Sequence, residues 1–138
     1  MIAYIDASVM VRFITSEPDR LEEVTTFDER VTSLIAEVDC LRAVQKAQLA
    51  GEIDDNELIG RRQAVFAQLR RMTLVMPSRS ILTRAGDPFP MALKALDAIH
   101  LATALQWRER RAPDLVFATH DRQLGRAAAA LGFPIIGA

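Results

Sequence analysis

The stretch Met1-Ile2-Ala3-Tyr4-Ile5-Asp6-Ala7-Ser8 decides the fold, because it is an apolar strand that ends on a carboxylate. A second stretch of this kind, Leu115-Val116-Phe117-Ala118-Thr119-His120-Asp121, lies near the C-terminus. Open α/β folds keep their ligand sites at the carboxyl edge of the sheet, which is where such acids would lie. Two strands of this kind indicate a functional site at one edge of a sheet.

Segments with strand character alternate with segments of helical periodicity along the rest of the chain. We predict strands at about 2–5, 30–32, 72–76, 115–118 and 134–136. We predict helices at about 7–15, 19–27, 33–51, 55–71, 80–85, 91–110 and 122–131, with an acidic turn at 52–57 and an interruption or second cap at Asp97. The strands are apolar on both faces, which favours a parallel sheet of about four or five strands flanked by helices. We therefore expect one α/β domain over residues 1–138.

The composition fits a domain with a substantial core, since half of the 138 residues are hydrophobic. The formal net charge is only −1, so composition does not indicate a nucleic-acid binder and any basic surface must be local. Lys46 and Lys94 are the only lysines among 17 basic residues. The excess of arginine suits bidentate phosphate contacts, although a genome rich in G and C could produce the same bias.

The sequence also indicates a cellular compartment. Cys40 is the only cysteine, which excludes an intrachain disulfide and a thiolate zinc cluster and fits a reducing cytosol. No apolar run reaches the length of a membrane span, and Asp6 interrupts the first apolar stretch too early for a signal peptide. We therefore expect a cytoplasmic protein with no membrane association.

Four acids stand out by position: Asp6, Asp39, Asp97 and Asp121. Three of them, Asp6, Asp97 and Asp121, precede apolar periodic segments, so helix capping is an alternative role for each. In a parallel sheet, however, the strands that precede Asp6 and Asp121 end at the same edge. Clustered carboxylates repel one another and need a proton or a cation. All-oxygen ligation without a Cys or His pair favours Mg²⁺ or Mn²⁺ over zinc.

Divalent ions held by carboxylates favour phosphoryl transfer, which predicts hydrolysis of a phosphodiester. Competing motifs are missing, because the six glycines form neither GxGxxG nor a Walker loop. A Ser/His/Asp triad built on Ser8 lacks the glycines of a nucleophile elbow. His100 lies among apolar residues and is predicted to be a hydrogen-bonded structural residue, whereas His120, beside Asp121, is a candidate for substrate contact.

Three segments resemble the successive signatures of PIN-domain ribonucleases: Ile2-Ala3-Tyr4-Ile5-Asp6-Ala7-Ser8, Leu96-Asp97-Ala98-Ile99-His100-Leu101-Ala102-Thr103-Ala104 and Ala118-Thr119-His120-Asp121. Within that family, the length and the LDAIHLATA stretch are most similar to the VapC-type toxins of bacterial toxin–antitoxin pairs. The resemblance implies that Asp6, Asp97 and Asp121 are catalytic acids and ligands of Mg²⁺, with Mn²⁺ as the alternative ion.

The resemblance also implies a fourth acid. The family typically has a Ser, a Glu six residues later and an Arg three residues after that, and this register falls here on Ser33, Asp39 and Arg42. Asp39 is therefore the fourth catalytic and metal-binding candidate, one methylene shorter than the usual Glu. Glu37 is the rival, but two residues along a helix rotate a side chain by about 200°, so the two acids are not interchangeable.

Hydroxyl and guanidinium groups complete the predicted site. Ser8 and Thr119 match the hydroxyls of the family's DxS and TxD motifs, which implies that they orient ligands or water. Four arginines are the basic residues nearest in sequence to the acids, and we expect some of them to contact RNA phosphates: Arg12, Arg42, Arg122 and Arg126. A solvated or ion-paired surface position is the alternative for each.

The expected function is that of a Mg²⁺-dependent endoribonuclease, the toxin of a type II toxin–antitoxin pair. The resemblance further implies a homodimer and a cognate antitoxin that blocks the acidic site, with the helices on either side of Gly51 as a partner surface. One alternative is a PIN-like scaffold that binds RNA or protein without cleaving, which the Asp at position 39 would favour. Another is a phosphomonoesterase with a nucleophilic aspartate.

Overall fold

One parallel sheet forms the centre of the computed structural model, which describes residues 1–138. Its five strands are β1 (Ile2–Ile5), β2 (Glu29–Ser33), β3 (Thr73–Val75), β4 (Val116–Ala118) and β5 (Ile135–Ile136). The strand order is β3-β2-β1-β4-β5, and every pairing is parallel. The predicted parallel α/β fold is confirmed, and β1 lies at its centre.

Six α-helices flank the sheet: α1 (Ala7–Ile14), α2 (Ile35–Leu49), α3 (Asp55–Leu69), α4 (Arg79–Ala85), α5 (Ala95–Arg110) and α6 (Arg122–Ala130). A 3-10 helix, Glu22–Thr26, occupies the short helix predicted at 19–27. The predicted acidic turn does cap α3, because the side chains of Asp54 and Glu57 each accept the other's backbone N–H. None of the helices combines the length and the apolar character that crossing a bilayer requires.

Helix α5 differs from the prediction at its start. The helix begins at Ala95 rather than near residue 91, because Met91 and Leu93 pack against the core from a connection without regular secondary structure. Lys94 is the N-cap residue, and its carbonyl accepts the N–H of Ala98 at 2.9 Å. The predicted interruption at Asp97 is wrong, since Asp97 is the third residue of a continuous helix. Tertiary packing of the apolar side chains has overridden local helix propensity here.

The sheet separates two hydrophobic layers. Ala3 and Ile5 of β1 pack with α1, α2 and α3, whereas Tyr4 faces α5 and α6. Strand β4 alternates in the same way, and the ring of Phe117 stacks on that of Tyr4 with centroids 5.3 Å apart. Burial of one such aromatic ring contributes about 1.5–3 kcal/mol. Helices on both faces explain why the two central strands are apolar without alternation.

Candidate active site

Strands β1 and β4 end side by side, because Ile5 pairs with Ala118 in their register. Asp6 follows Ile5, and its backbone N–H donates to the Ala118 carbonyl at 3.0 Å. Oδ2 of Asp6 accepts the hydroxyls of Ser8 at 2.6 Å and of Thr119 at 2.9 Å. The Asp6 side chain is therefore buried and fixed at the carboxyl edge of the sheet.

The same two hydroxyls accept backbone N–H groups from the segment that follows β4. Ser8 Oγ accepts from His120 at 2.9 Å, and Thr119 Oγ1 accepts from Asp121 at 3.0 Å. Because each hydroxyl has one proton, accepting from the backbone leaves that proton for Asp6. The ends of β1 and β4 are thus joined by two oriented hydroxyls. A role for them in orienting ligands or water stays a prediction.

Helix capping was the alternative role for Asp6, Asp97 and Asp121, and it describes only one of them. Oδ1 of Asp121 accepts the N–H groups of Gln123 at 2.9 Å and Leu124 at 3.1 Å, so Asp121 caps α6. Asp6 occupies the N-cap position of α1, but its side chain makes no capping hydrogen bond. Asp97 lies inside α5. Capping is confirmed for Asp121 and wrong for Asp6 and Asp97.

Helices α2 and α5 bring the other two acids, Asp39 and Asp97, to the same edge. A histidine of α5, His100, lies between the strands and α2. His100 Nε2 lies 3.1 Å from Oδ2 of Asp39 and 3.8 Å from Oδ1 of Asp6. His100 Nδ1 lies 2.7 Å from the hydroxyl of Tyr4. His100 is hydrogen-bonded, as predicted, but one of its partners, Asp39, belongs to the acidic site. The spacing is a signal that could have revealed this, because residues 97 and 100 share one face of a helix.

The charges of the other three acids act on Asp97. Burial raises the pKa of Asp97 to about 6, and the negative charges of Asp6, Asp121 and Asp39 also raise it. No arginine or lysine forms an ion pair with any of the four carboxylates. The edge of the sheet therefore concentrates negative charge that no basic side chain neutralises.

The donor set suits the hard divalent ion that the fold family implies. Four carboxylates with uncompensated charge are the ligands that Mg²⁺ and Mn²⁺ prefer. As the side chains stand, no three His, Cys, Asp or Glu residues are positioned to hold a metal ion together. One carboxylate oxygen of Asp39 is hydrogen-bonded to His100. The residues present fit the ion by chemistry, and the carboxylates would have to turn toward it for ligation.

The four predicted RNA-binding arginines fall into two groups. Arg12 donates to Asp19 at 2.6 Å, so the ion-paired alternative describes it. Arg42, Arg122 and Arg126 are exposed and form no ion pair. Arg122 and Arg126 lie one turn apart on α6 and border a surface pocket of about 360 Å³. Contact of these side chains with RNA stays a prediction.

His120 is directed toward the C-terminal strand. Its Nδ1 lies 3.3 Å from the carbonyl oxygen of Gly137, and its Nε2 is buried without a hydrogen-bond partner. The backbone N–H of His120 belongs to the hydroxyl network at Ser8. Its predicted contact with substrate stays a prediction.

This chain is similar to known proteins in sequence and in fold. The family model of the PIN domain matches residues 3–130. Ribonuclease VapC46 of Mycobacterium tuberculosis is 33% identical over 137 residues, an alignment that covers 96% of this chain and 95% of the relative. Among solved structures, VapBC2 from Rickettsia felis bound to a DNA fragment from its promoter matches with a TM-score of 0.65 and 14% identity, covering 98% of this chain and 97% of that chain. A toxin–antitoxin complex from Klebsiella pneumoniae matches with a TM-score of 0.62 and 19% identity, covering 86% of each chain. The family model covers nearly the full length of the chain, and the chain has a central parallel sheet with acids at its carboxyl edge. The chain therefore belongs to the PIN domain family.

Proposed function

We propose that this chain is a Mg²⁺-dependent endoribonuclease and the toxin of a type II toxin–antitoxin pair. The observation that carries the proposal is the gathering of Asp6, Asp39, Asp97 and Asp121 at one edge of the sheet, where the pKa of Asp97 rises to about 6 and no basic side chain compensates the charge. The name of the 33% identical relative, a ribonuclease, supports the same activity. The substrate is the phosphodiester backbone of RNA.

The acids differ in what they contribute. A bound Mg²⁺ supplies Lewis acidity toward a phosphate oxygen and lowers the pKa of the attacking water. Asp6, fixed through Oδ2 by Ser8 and Thr119, presents Oδ1 to the site. Asp121 uses Oδ1 for the α6 cap, which leaves Oδ2 for a ligand. Asp97, whose pKa is raised to about 6 in the ion-free protein, would contribute a carboxylate whose repulsion from Asp6, Asp121 and Asp39 a bound cation relieves.

Binding of the RNA strand falls to arginines around this edge. Arg42 lies on α2 one turn beyond Asp39, and Arg122 follows Asp121 directly. Arg126 continues the exposed face of α6. One guanidinium group can donate to two phosphate oxygens at once, so these side chains would position the RNA backbone while the acids act on it. The overall charge of −1 makes this binding depend on local charge rather than on the field of the whole protein.

A cognate antitoxin is the proposed protein partner, as in the Klebsiella toxin–antitoxin complex whose fold this chain shares. The surface we propose for partner contact is the hairpin of α2 and α3 around Gly51. Large apolar side chains are exposed there, with Val38 at 52%, Leu49 at 78% and Ile59 at 56% of their full accessibility. Leu58 of the same hairpin packs against the core instead. Exposed apolar side chains of this kind support a contact surface. A homodimer is the second association that we propose.

Growth on expression tests the biological part of the proposal. Induced wild-type protein should arrest growth, and Asp6→Asn should relieve the arrest because Asn cannot replace a charged metal ligand. Asp114→Asn is the matched control, since Asp114 is exposed and precedes β4 at the opposite edge of the sheet. Arrest by Asp6→Asn as strong as that by wild type, at equal protein levels, would contradict the proposal.

A scaffold that binds RNA without cleaving it is the second candidate. One observation favours it, namely that no three acidic side chains are positioned together to hold an ion. The two candidates differ in a direct test with purified protein. The scaffold predicts RNA binding that does not require Mg²⁺ and leaves the RNA intact, whereas the nuclease predicts shortened RNA only when the ion is present.

A further inference from the structure

We infer that His100 is a positioning residue of the acidic site, held in place by Tyr4, and that it orients the carboxylate of Asp39 by donating a hydrogen bond from Nε2 to it. The ring is completely buried and lies between the two groups, 2.7 Å from the Tyr4 hydroxyl and 3.1 Å from Asp39 Oδ2. The inference rests on the proposed metal-dependent function, because it assigns His100 a task in preparing one ligand of that site.

The direction of each hydrogen bond follows from the groups involved. The backbone N–H of Ser33 can only donate, and it lies 3.1 Å from the Tyr4 hydroxyl oxygen, which therefore accepts. Burial and the charge of Asp6 raise the pKa of Tyr4 far above its usual range, so the phenol keeps its proton. A carboxylate accepts hydrogen bonds, so the bond between His100 Nε2 and Asp39 Oδ2 is donated by the ring.

Two further hydroxyls lie beside Tyr4 in the core. Thr32 donates to the Ile5 carbonyl at 2.7 Å, and Thr103 donates to the Ile99 carbonyl at 2.6 Å. The only side-chain nitrogen within hydrogen-bond distance of the Tyr4 hydroxyl is that of His100. Tyr4 therefore holds the Nδ1 side of the ring, and Nε2 on the other side meets carboxylate oxygens.

The consequence is a chain of hydrogen bonds through four elements of the fold. It runs from the end of β2 through Tyr4 of β1 and His100 of α5 to Asp39 of α2. The same Nε2 lies 3.8 Å from Oδ1 of Asp6, so the ring sets the spacing between two acids of the site. Because Asp39 is a short side chain on a helix outside the strand ends, this donor determines where its carboxylate lies. Groups that orient metal ligands in this way influence metal affinity strongly.

Nitrogen NMR of the metal-free protein tests the hydrogen bond without reference to any activity. Histidine labelled with ¹⁵N gives two rings, and His120→Asn identifies the signal of His100. We expect Nε2 of His100 to carry a proton that exchanges slowly with solvent, because it is buried and bonded to Asp39. A His100 Nε2 without a proton would overturn the inference.

Titration with Mn²⁺ tests the positioning role with a matched pair of variants. His100→Gln keeps an N–H donor near the position of Nε2, whereas His100→Leu has similar bulk and no donor. We expect His100→Leu to weaken Mn²⁺ binding by about tenfold to a hundredfold, and His100→Gln to recover most of that loss. Equal affinity of the two folded variants, or affinity of His100→Leu equal to that of wild type, would overturn the inference.

The outcomes separate this inference from the proposed function. Wild-type protein that binds Mn²⁺ and carries a proton on His100 Nε2 but cleaves no RNA would contradict the nuclease proposal and leave the role of His100 standing. Wild-type protein that binds no Mn²⁺ would overturn both. Circular dichroism of every variant confirms that a lost affinity does not reflect a lost fold.

Discussion

The hydroxyl of Thr119 donates to Oδ2 of Asp6 across 2.9 Å and accepts the backbone N–H of Asp121 across 3.0 Å. One fully buried side chain thereby joins two acids from opposite ends of the chain. The contact is possible because β1 and β4 are parallel neighbours that end in register. The site is thus assembled by the order of strands in the sheet rather than by proximity in sequence.

Thr119→Val should be destabilising and should lower activity. Valine has the shape of threonine but leaves the Asp121 N–H without its partner and removes one of the two hydroxyls that donate to Asp6 Oδ2, which costs about 1–3 kcal/mol of unfolding free energy. Urea unfolding measures this cost, and Thr119→Ser, which keeps the hydroxyl, is the control. Equal stability of the valine and serine variants would show that the hydroxyl does not hold this edge together.

Asp97→Asn should stabilise the ion-free protein at high pH. Folding raises the pKa of Asp97 from 3.8 to about 6, so the folded state binds its proton more tightly than the unfolded state. The stability associated with this group is therefore present at low pH and is lost as pH rises through about 6. After discounting for partial solvent exposure, the gain from Asn at pH 8 is on the order of 1 kcal/mol.

Urea unfolding in a chelator between pH 4 and pH 8 measures that gain, which should grow up to about pH 6 and then level off. Saturating Mg²⁺ should reverse the order, because an ion that binds only the folded wild type adds stability that the Asn variant lacks. A gain that is constant across this pH range would contradict the assigned electrostatic origin. Stabilisation of both proteins alike by Mg²⁺ would contradict a role for Asp97 as a ligand.

Arg122→Ala and Arg126→Ala should weaken RNA binding and reduce its salt dependence, whereas Arg12→Ala should change both less. Arg12 is already paired with Asp19, while the two α6 arginines are free to meet phosphates. Each lost contact with single-stranded RNA should lower the slope of log affinity against log salt by about 0.7. Fluorescence anisotropy in the Asp97→Asn background measures binding without cleavage. An unchanged slope in both α6 variants would contradict their proposed role.

Gly137→Ala and Gly60→Ala should act in opposite directions. Gly137 has φ of +92°, and an added Cβ would lie 2.6 Å from the Thr119 carbonyl oxygen, so alanine is strained there by about 1–3 kcal/mol. Gly60 lies within α3 with no atom within 4 Å of an added Cβ, and alanine should stabilise that helix by about 1 kcal/mol. Thermal unfolding compares the two. Equal melting temperatures would contradict the strain assigned to the end of β5.

The sequence predicted the fold well where hydrophobic periodicity is strong. All five strands lie at or near their predicted positions, although β2, Glu29–Ser33, is not an apolar run, and Pro134 precedes the short edge strand β5. The predicted start of α5 was wrong. Met91 and Leu93 are apolar at positions that suit a helix, yet they reach the core from a segment without regular secondary structure. Periodicity alone cannot distinguish these two ways of burying the same side chains.

The candidate site was predictable in its acids and less so in what surrounds them. Asp6 and Asp121 follow strands, so sheet geometry alone predicted that they would converge. The contact of His100 with Asp39 could not be predicted in this way, because it depends on how α5 packs against α2 across the end of the sheet. Tyr4 gave no separate signal, since a buried tyrosine in an apolar strand is ordinary core until its hydroxyl has a partner.

RNA cleavage by purified protein tests the central claim most directly. Wild type, Asp6→Asn and Asp97→Asn are each incubated with a set of structured RNAs in Mg²⁺, in Mn²⁺ and in a chelator. The account predicts cleavage by wild type only when an ion is present, and rates at least ~100-fold lower for both variants, since each loses a charged group of the site. Cleavage at equal rates by all three proteins, or cleavage that persists in the chelator, would contradict it.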